Sequence, residues 1–189
     1  LLFMVAFNKY VPAGTYTCTI SDGNGCQQSI NVTIVQASAL SSSLTALTPV
    51  SCFGGTNGSA QVSGVGGTAP YLYTWSPSGG TNSLATNLSV GSYTCQVSDA
   101  NGCLVNQVVQ INGPSAISVG TSSVSPATCG SNNGALSLVT SGGTGSYSYN
   151  WTPSVGSSST LSNLISGTYS VVVTDQNGCT GALSVGINS

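Results

Sequence analysis

An all-β fold built from tandem two-sheet sandwiches is what this sequence predicts, and three observations carry the prediction. First, one phrase recurs at long range. Gly14-Thr-Tyr-Thr-Cys-Thr-Ile-Ser-Asp-Gly-Asn-Gly-Cys26 returns as Gly91-Ser-Tyr-Thr-Cys-Gln-Val-Ser-Asp-Ala-Asn-Gly-Cys103, and again as Gly167-Thr-Tyr-Ser-Val-Val-Val-Thr-Asp-Gln-Asn-Gly-Cys179. The spacing is 77 residues (91 − 14) and then 76 (167 − 91). That is the length of a small domain, not of one solenoid turn. Second, aromatic and β-branched residues alternate with small or polar ones, which is the period of a strand with one buried face. Third, helical spacing is absent, and clusters of Gly, Pro, Ser and Asn punctuate the alternating runs.

Aligning the units on the closing cysteine divides the chain into 1–36, 37–113 and 114–189. The first is only the closing half of a repeat, because residue 1 corresponds to position 78 of the second unit (1 + 77). A half sandwich exposes its apolar face and its sheet edges. The segment is therefore expected either to be a window cut from a longer chain or to be completed by a neighbouring chain. The apolar run Leu1, Leu2, Phe3, Met4, Val5, Ala6 and Phe7 would add as a strand to that neighbour. The alternative for this run is a truncated signal peptide, although the basic start and the cleavage site are missing.

Each full unit is expected to hold six or seven short strands. Ala60 and Val62, matched by Leu136 and Leu138, give an early strand. Tyr71, Tyr73 and Trp75, matched by Tyr147, Tyr149 and Trp151, give a third. Tyr93, Cys95 and Val97, matched by Tyr169, Val171 and Val173, give a late one. The order of these landmarks resembles an immunoglobulin-like sandwich: a Trp on the third strand, and a tyrosine-corner strand with Tyr two residues before Cys. The usual cysteine of the second strand is replaced by Ala60 and Leu136, so the central immunoglobulin bridge is not expected.

Charge is nearly absent, with one Lys or Arg, three Asp or Glu and no His in 189 residues. A single base cannot make a phosphate-binding surface, so nucleic acid is excluded as a partner. A near-neutral surface lacks the repulsion that keeps copies apart, and favours a homopolymer. No apolar run reaches the eighteen or so residues of a membrane-spanning helix. Catalysis has no His base, one Lys and one Asp per unit, so no acid–base pair forms within a unit and no enzyme is expected.

Seven cysteines without His or a Cys-x-x-Cys pair point to disulfides in an oxidising compartment rather than to zinc. The recurrence of Cys52 and Cys103 as Cys129 and Cys179 suggests one clasp per unit, Cys52–Cys103 and Cys129–Cys179, from first strand to last. Each would close a loop of about 50 residues, worth roughly 4 kcal/mol in the chain-entropy model, and would carry tension directly along the unit. Cys18–Cys26 is an option across a tight hairpin. Cys95 reads as a buried free thiol or, alternatively, as half of an intermolecular bridge.

All three carboxylates lie in Asp-x-Asn-Gly-Cys segments, at Asp22, Asp99 and Asp175. Asn-Gly predicts a type I′ hairpin turn, with Asp capping it. A calcium site at these residues is the alternative, although one Asp per unit is a thin ligand set and no other cofactor is implied. Four Asn-x-Ser/Thr sequons (Asn31, Asn57, Asn87 and Asn150) are no more than chance supplies in a chain this rich in Asn, Ser and Thr.

Taken in order, Cys, Asn-Gly, Gly-Gly, Tyr-x-Tyr-x-Trp, Gly-x-Tyr and Asp-x-Asn-Gly-Cys resemble the SprB-type repeat of Bacteroidetes surface proteins. The pattern covers residues 52–103 and 129–179, with its tail alone in 14–26. The resemblance implies a secreted, cell-surface adhesin of filamentous build, exported by the type IX pathway. Cys18, Cys95 and the first 13 residues depart from the pattern. The expected role is a structural and adhesive segment of an extracellular fibre that associates head to tail. The alternatives are a carbohydrate- or protein-binding module, with surface glycans as partners, and a non-catalytic accessory region of a secreted enzyme. Aromatics of the Tyr-x-Tyr-x-Trp run facing solvent would favour ligand binding; facing the core, they would favour structure.

Overall fold

The computed structural model describes residues 11–189. The expected self-association strand, Leu1 to Phe7, lies outside the described residues. Strands begin where alternation begins, and the described residues contain no helix. The opening half-repeat forms one antiparallel hairpin, β1 (Gly14–Ser21) and β2 (Gln27–Ile34), in unbroken register from Gly14 opposite Ile34 to Ser21 opposite Gln27.

The next six strands form a sandwich of three on three. One sheet has the order β3-β4-β6, from β3 (Ser41–Thr48), β4 (Gly58–Val65) and β6 (Leu84–Leu88). The other is β5-β7-β8, from β5 (Leu72–Ser76), β7 (Gly91–Ser98) and β8 (Leu104–Ile111). First, second and fourth strands against third, fifth and sixth is an immunoglobulin-like order. The last six strands repeat it, with β12-β10-β9 against β11-β13-β14. These are β9 (Ser118–Ser125), β10 (Gly134–Ser141), β11 (Ser148–Thr152), β12 (Thr160–Leu164), β13 (Gly167–Thr174) and β14 (Thr180–Ile187).

The alternation delivers the expected cores. Ala60, Val62, Trp75, Tyr93, Cys95 and Val97 are buried together with Val50, Leu88, Val109 and Ile111. Leu136, Leu138, Trp151, Tyr169, Val171 and Val173 are buried in the second sandwich. Tyr71 and Tyr73 pack half-buried on the first core, so the aromatic run faces inward. Each indole N–H finds a carbonyl: Trp75 donates to Asn82 at 2.9 Å and Trp151 to Ser158 at 3.1 Å. The tyrosine corner recurs in all three units, with Tyr16 donating to Pro12, Tyr93 to Ser89 and Tyr169 to Ile165. Among the described residues no buried side-chain nitrogen or oxygen lacks a partner.

The hairpin differs from its counterparts because, among the described residues, no second sheet packs on it. Tyr16 is 40% exposed where Tyr93 is 4%, and Ile20 is 67% exposed where Val97 is fully buried. The open faces of the strands are solubilised without charge, by cross-strand hydroxyl pairs such as Thr19–Ser29 (2.8 Å) and Ser170–Ser184 (2.7 Å).

Two changes separate core filling from corner bonding. Trp75→Ala should lower stability by about 3–5 kcal/mol through the cavity it leaves. Tyr93→Phe keeps the ring and should cost only about 1 kcal/mol, by orphaning the Ser89 carbonyl. Urea unfolding followed by far-ultraviolet circular dichroism, to which the strands of the first sandwich contribute with or without Trp75, measures the two.

Candidate functional site: the joint between the sandwiches

Each Asp-x-Asn-Gly-Cys segment is a closed turn organised by its carboxylate. In the second unit, Asp99 Oδ1 accepts the backbone N–H of Asn101 (3.0 Å) and of Cys103 (2.8 Å). In the third, Asp175 Oδ1 accepts Asn177 and Cys179, each at 2.9 Å. Asp22 does the same for Asn24 and Cys26, also at 2.9 Å. The turn is not type I′. The positive φ falls on the glycine alone (Gly25 at 87°, Gly102 at 80°, Gly178 at 82°), while the preceding Asn is not left-handed. The Asp carbonyl accepts the Gly N–H, and the Asp N–H reaches the Cys carbonyl. The result is a three-residue loop with Gly at its left-handed position. Asn-Gly misled because its residues suit either geometry, and the Asp before them selects this one by capping two N–H groups.

The second carboxylate oxygen ties the turn to the preceding Gly-Gly loop. Asp99 Oδ2 accepts Thr68 N–H at 3.0 Å, and Asp175 Oδ2 accepts Thr144 N–H at 2.7 Å. Gly67 is required there, since a Cβ at its position would lie 2.6 Å from Asp99 Oδ2 and its φ is +59°. Tyr71 and Tyr147 donate to the carbonyls of Gly66 and Gly142, bracing the same loop. Burial alone would raise the pKa of Asp99 and Asp175, but the N–H donors outweigh it and hold both carboxyls below the ordinary value.

This pole of one sandwich meets the opposite pole of the one before it. The loop between β3 and β4 carries Cys52 and is braced by Asn57, which accepts Ser51 N–H (3.0 Å) and donates to Ser51 Oγ (2.8 Å). Across the joint, Asn177 Nδ2 donates to the Ser51 carbonyl at 3.2 Å. Cys52 and Cys179 are joined by a disulfide with Cα atoms 5.6 Å apart and 127 positions between them in sequence. An open cleft of about 500 Å3 runs beside it, lined by Pro49, Val50, Pro114, Gly143, Thr144 and Asn177 among others. In the chain-entropy model a bridge of this span is worth about 5 kcal/mol.

The staple therefore lies between units, and the expected pairs Cys52–Cys103 and Cys129–Cys179 do not form. Sandwich topology gives the reason. Cys179 lies just before the start of β14, whereas Cys129 lies near its end, where Ala127 N–H donates to the Asn188 carbonyl and Gly134 packs on Ile187. The eight residues of β14 separate them, about 26 Å of strand. Cys52 and Cys103 stand at opposite ends of β8 in the same way, since Val50 N–H donates to Asn112. Cys18, Cys26, Cys103 and Cys129 are exposed free thiols, so Cys18 and Cys26 are not bridged across their hairpin. Cys95 is free and fully buried, and burial pushes its thiol above the ordinary value, against a backbone hydrogen bond at Thr74 that lowers it.

Sequence reasoning had missed Asn177 and Ser51 as joint residues. Asn101 had offered no hint, because its amide stays inside its own unit, on Thr68 Oγ1 at 2.9 Å. Around the three Asp residues the facing groups are N–H donors, and no cluster of three or more His, Cys, Asp or Glu forms among the described residues.

The comparisons fit this architecture. The SprB repeat family model matches residues 44–80 and 121–156, at the two places where the motif order resembles that repeat. No curated protein sequence matches the chain. The fold is similar to the three N-terminal domains of the bacteriophage RB49 highly immunogenic outer capsid protein, at 16% identity and TM-score 0.51, over 79% of this chain and 59% of that one. The chain thus spans under two thirds of that structure. Weaker similarity extends to a C-terminal fragment of intimin bound to its receptor domain (14% identity, TM-score 0.40, 78% and 64% covered). It extends also to titin domains I67–I69 (15%, 0.42, 93% and 74%).

Two outcomes check the site. Peptide mapping of the oxidised chain under non-reducing conditions should recover a Cys52/Cys179 peptide pair and no Cys52/Cys103 pair; Cys179→Ser should leave Cys52 open to alkylation. Stability should be level at neutral pH and fall as the medium is acidified below about pH 4, where unfolding lets Asp99 and Asp175 take up protons that their folded turns resist. A urea midpoint series from pH 7 to pH 2.5 reads this directly.

Proposed function

We propose that this chain, with its two SprB repeats, is a structural and adhesive segment of an extracellular cell-surface fibre. One observation carries the reading: consecutive sandwiches are joined pole to pole by a disulfide and a hydrogen bond, Cys52–Cys179 and Asn177 to Ser51. A covalent staple placed between units restricts their relative motion, which suits a stalk. It also supports an oxidising compartment for the joint. The units of the reading are 1–36, 37–113 and 114–189, associating head to tail with further copies of the same repeat. The nearly chargeless surface, three carboxylates and one base in all, favours such contact. Export by the type IX pathway and a Bacteroidetes source belong to this reading through the family resemblance alone. No catalytic role and no cofactor are part of it, since the Asp oxygens are engaged by backbone N–H groups.

Recognition of surface glycans or a protein by the exposed aromatics is the competing role, and Trp75 and Trp151 in the cores give it no platform. Small-angle scattering of the oxidised chain across micromolar concentrations tests the fibre. The expected result is an extended particle whose mass grows with concentration and whose shape loosens on reduction. A compact monomer of fixed mass, with Cys26 unpaired, refutes it; strong, selective signals on a glycan array would favour the competing role.

A further inference from the structure

We propose that Cys129 is the opening half of a second joint, and that it bonds to Cys26 of a second copy of this chain as Cys52 bonds to Cys179. The inference rests on the fibre reading and adds the bond that would propagate it. Repeat equivalence supplies the first argument. Cys129 occupies in the second sandwich the loop that Cys52 occupies in the first. Ala127 N–H donates to Asn188 as Val50 N–H donates to Asn112, both at 2.9 Å. Thr128 N–H donates to Asn133 Oδ1 at 2.8 Å as Ser51 N–H donates to Asn57 Oδ1 at 3.0 Å. The loop is one residue shorter, because the cysteines are 77 apart (129 − 52) and the asparagines 76 (133 − 57). Its brace is nevertheless intact, and Cys129 is exposed and free.

The partner half is equally prepared. In the hairpin, Asp22 holds Asn24 and Cys26 by the bonds with which Asp175 holds Asn177 and Cys179. Cys26 is exposed and free, and Asn24 is the counterpart of the residue that donates across the known joint. Cys26 thus sits in the same capped turn as Cys179, on a unit that stands ahead of the first sandwich. Set after a second sandwich, it continues the order opening loop to closing turn. Among the described side chains the carboxylate beside Cys26 is Asp22, whose Oδ1 accepts the N–H groups of its own turn.

The bond forms by oxidation of two thiols. Each loses its proton and together they release two electrons as the S–S bond is made. The acceptor is a disulfide oxidant, which leaves as two thiols.

The test uses the whole chain at micromolar concentration in a glutathione/glutathione disulfide buffer. Remaining thiols are alkylated, the products separated on a non-reducing gel, and the bands digested for mass spectrometry. The expected result is a ladder of covalent oligomers containing a Cys129/Cys26 peptide pair. Cys129→Ser and, separately, Cys26→Ser should each abolish the ladder while the Cys52/Cys179 pair persists, which also shows that the variants fold. Alkylated Cys129 throughout, or Cys129 bonded to Cys103, Cys179 or its own counterpart, overturns the proposal. Failure of the fibre reading is distinguishable: it appears as a compact scattering particle, whereas failure of this bond alone leaves an extended particle with the Cys52–Cys179 staple in place.

Discussion

A carboxylate that accepts backbone N–H groups organises the end of every unit, and much of the molecule depends on it. Asp99 and Asp175 are almost fully buried, yet each oxygen has donors. One oxygen shapes the turn that presents Asn and Cys; the other pins that turn to the Gly-Gly loop of the same pole. Removing either set would leave a buried charge without partners, a larger loss than a missing neutral hydrogen bond. The joint inherits this order. Asn177 can reach Ser51, and Cys179 can meet Cys52, because the turn that carries them is held by bonds within its own unit. The rigidity of the contact is thus local in origin, made by four residues and one side chain.

The sandwiches themselves need little more than alternation. Units of this size bury modest cores and are marginal alone. Here the tryptophans, the tyrosine corners and a row of small β-branched residues fill the space between sheets. Outside, the strands carry Ser, Thr, Asn and Gln, whose paired hydroxyls and amides replace the ion pairs of an ordinary surface. Such a surface is insensitive to salt and offers no sign of charge to steer a partner. What distinguishes one face from another is geometry and thiols.

Fold and core were legible in the sequence because both follow from period. Strands with Tyr at alternate positions have one way to hide them, and the two full units carry each inference twice. The joint was not legible, for a physical reason. Recurrence of Cys52 as Cys129 and of Cys103 as Cys179 specifies that two kinds of cysteine exist per unit; it does not specify the pole at which each lies. Counting strands places one cysteine after the first and the other before the last, so a clasp within the unit looks natural. Antiparallel order puts those sites a full strand length apart. The turn at Asn-Gly differs for another reason: the Asp cap is as expected, but one of its oxygens holds two N–H groups, which selects a three-residue loop over the two-residue type I′ turn.

The bridge at the joint has a topological consequence. Cys52 and Cys179 close a covalent ring that contains residues 53–178, most of both sandwiches. A protease that nicks one exposed loop inside that ring, such as the one bearing Phe53, leaves the flanking segments connected through sulfur. Within the ring, a backbone cut must be accompanied by reduction of the bridge before the flanking segments separate. Placing the staple across the joint rather than inside a unit makes nearly the whole of residues 53–178 expendable as a single backbone path.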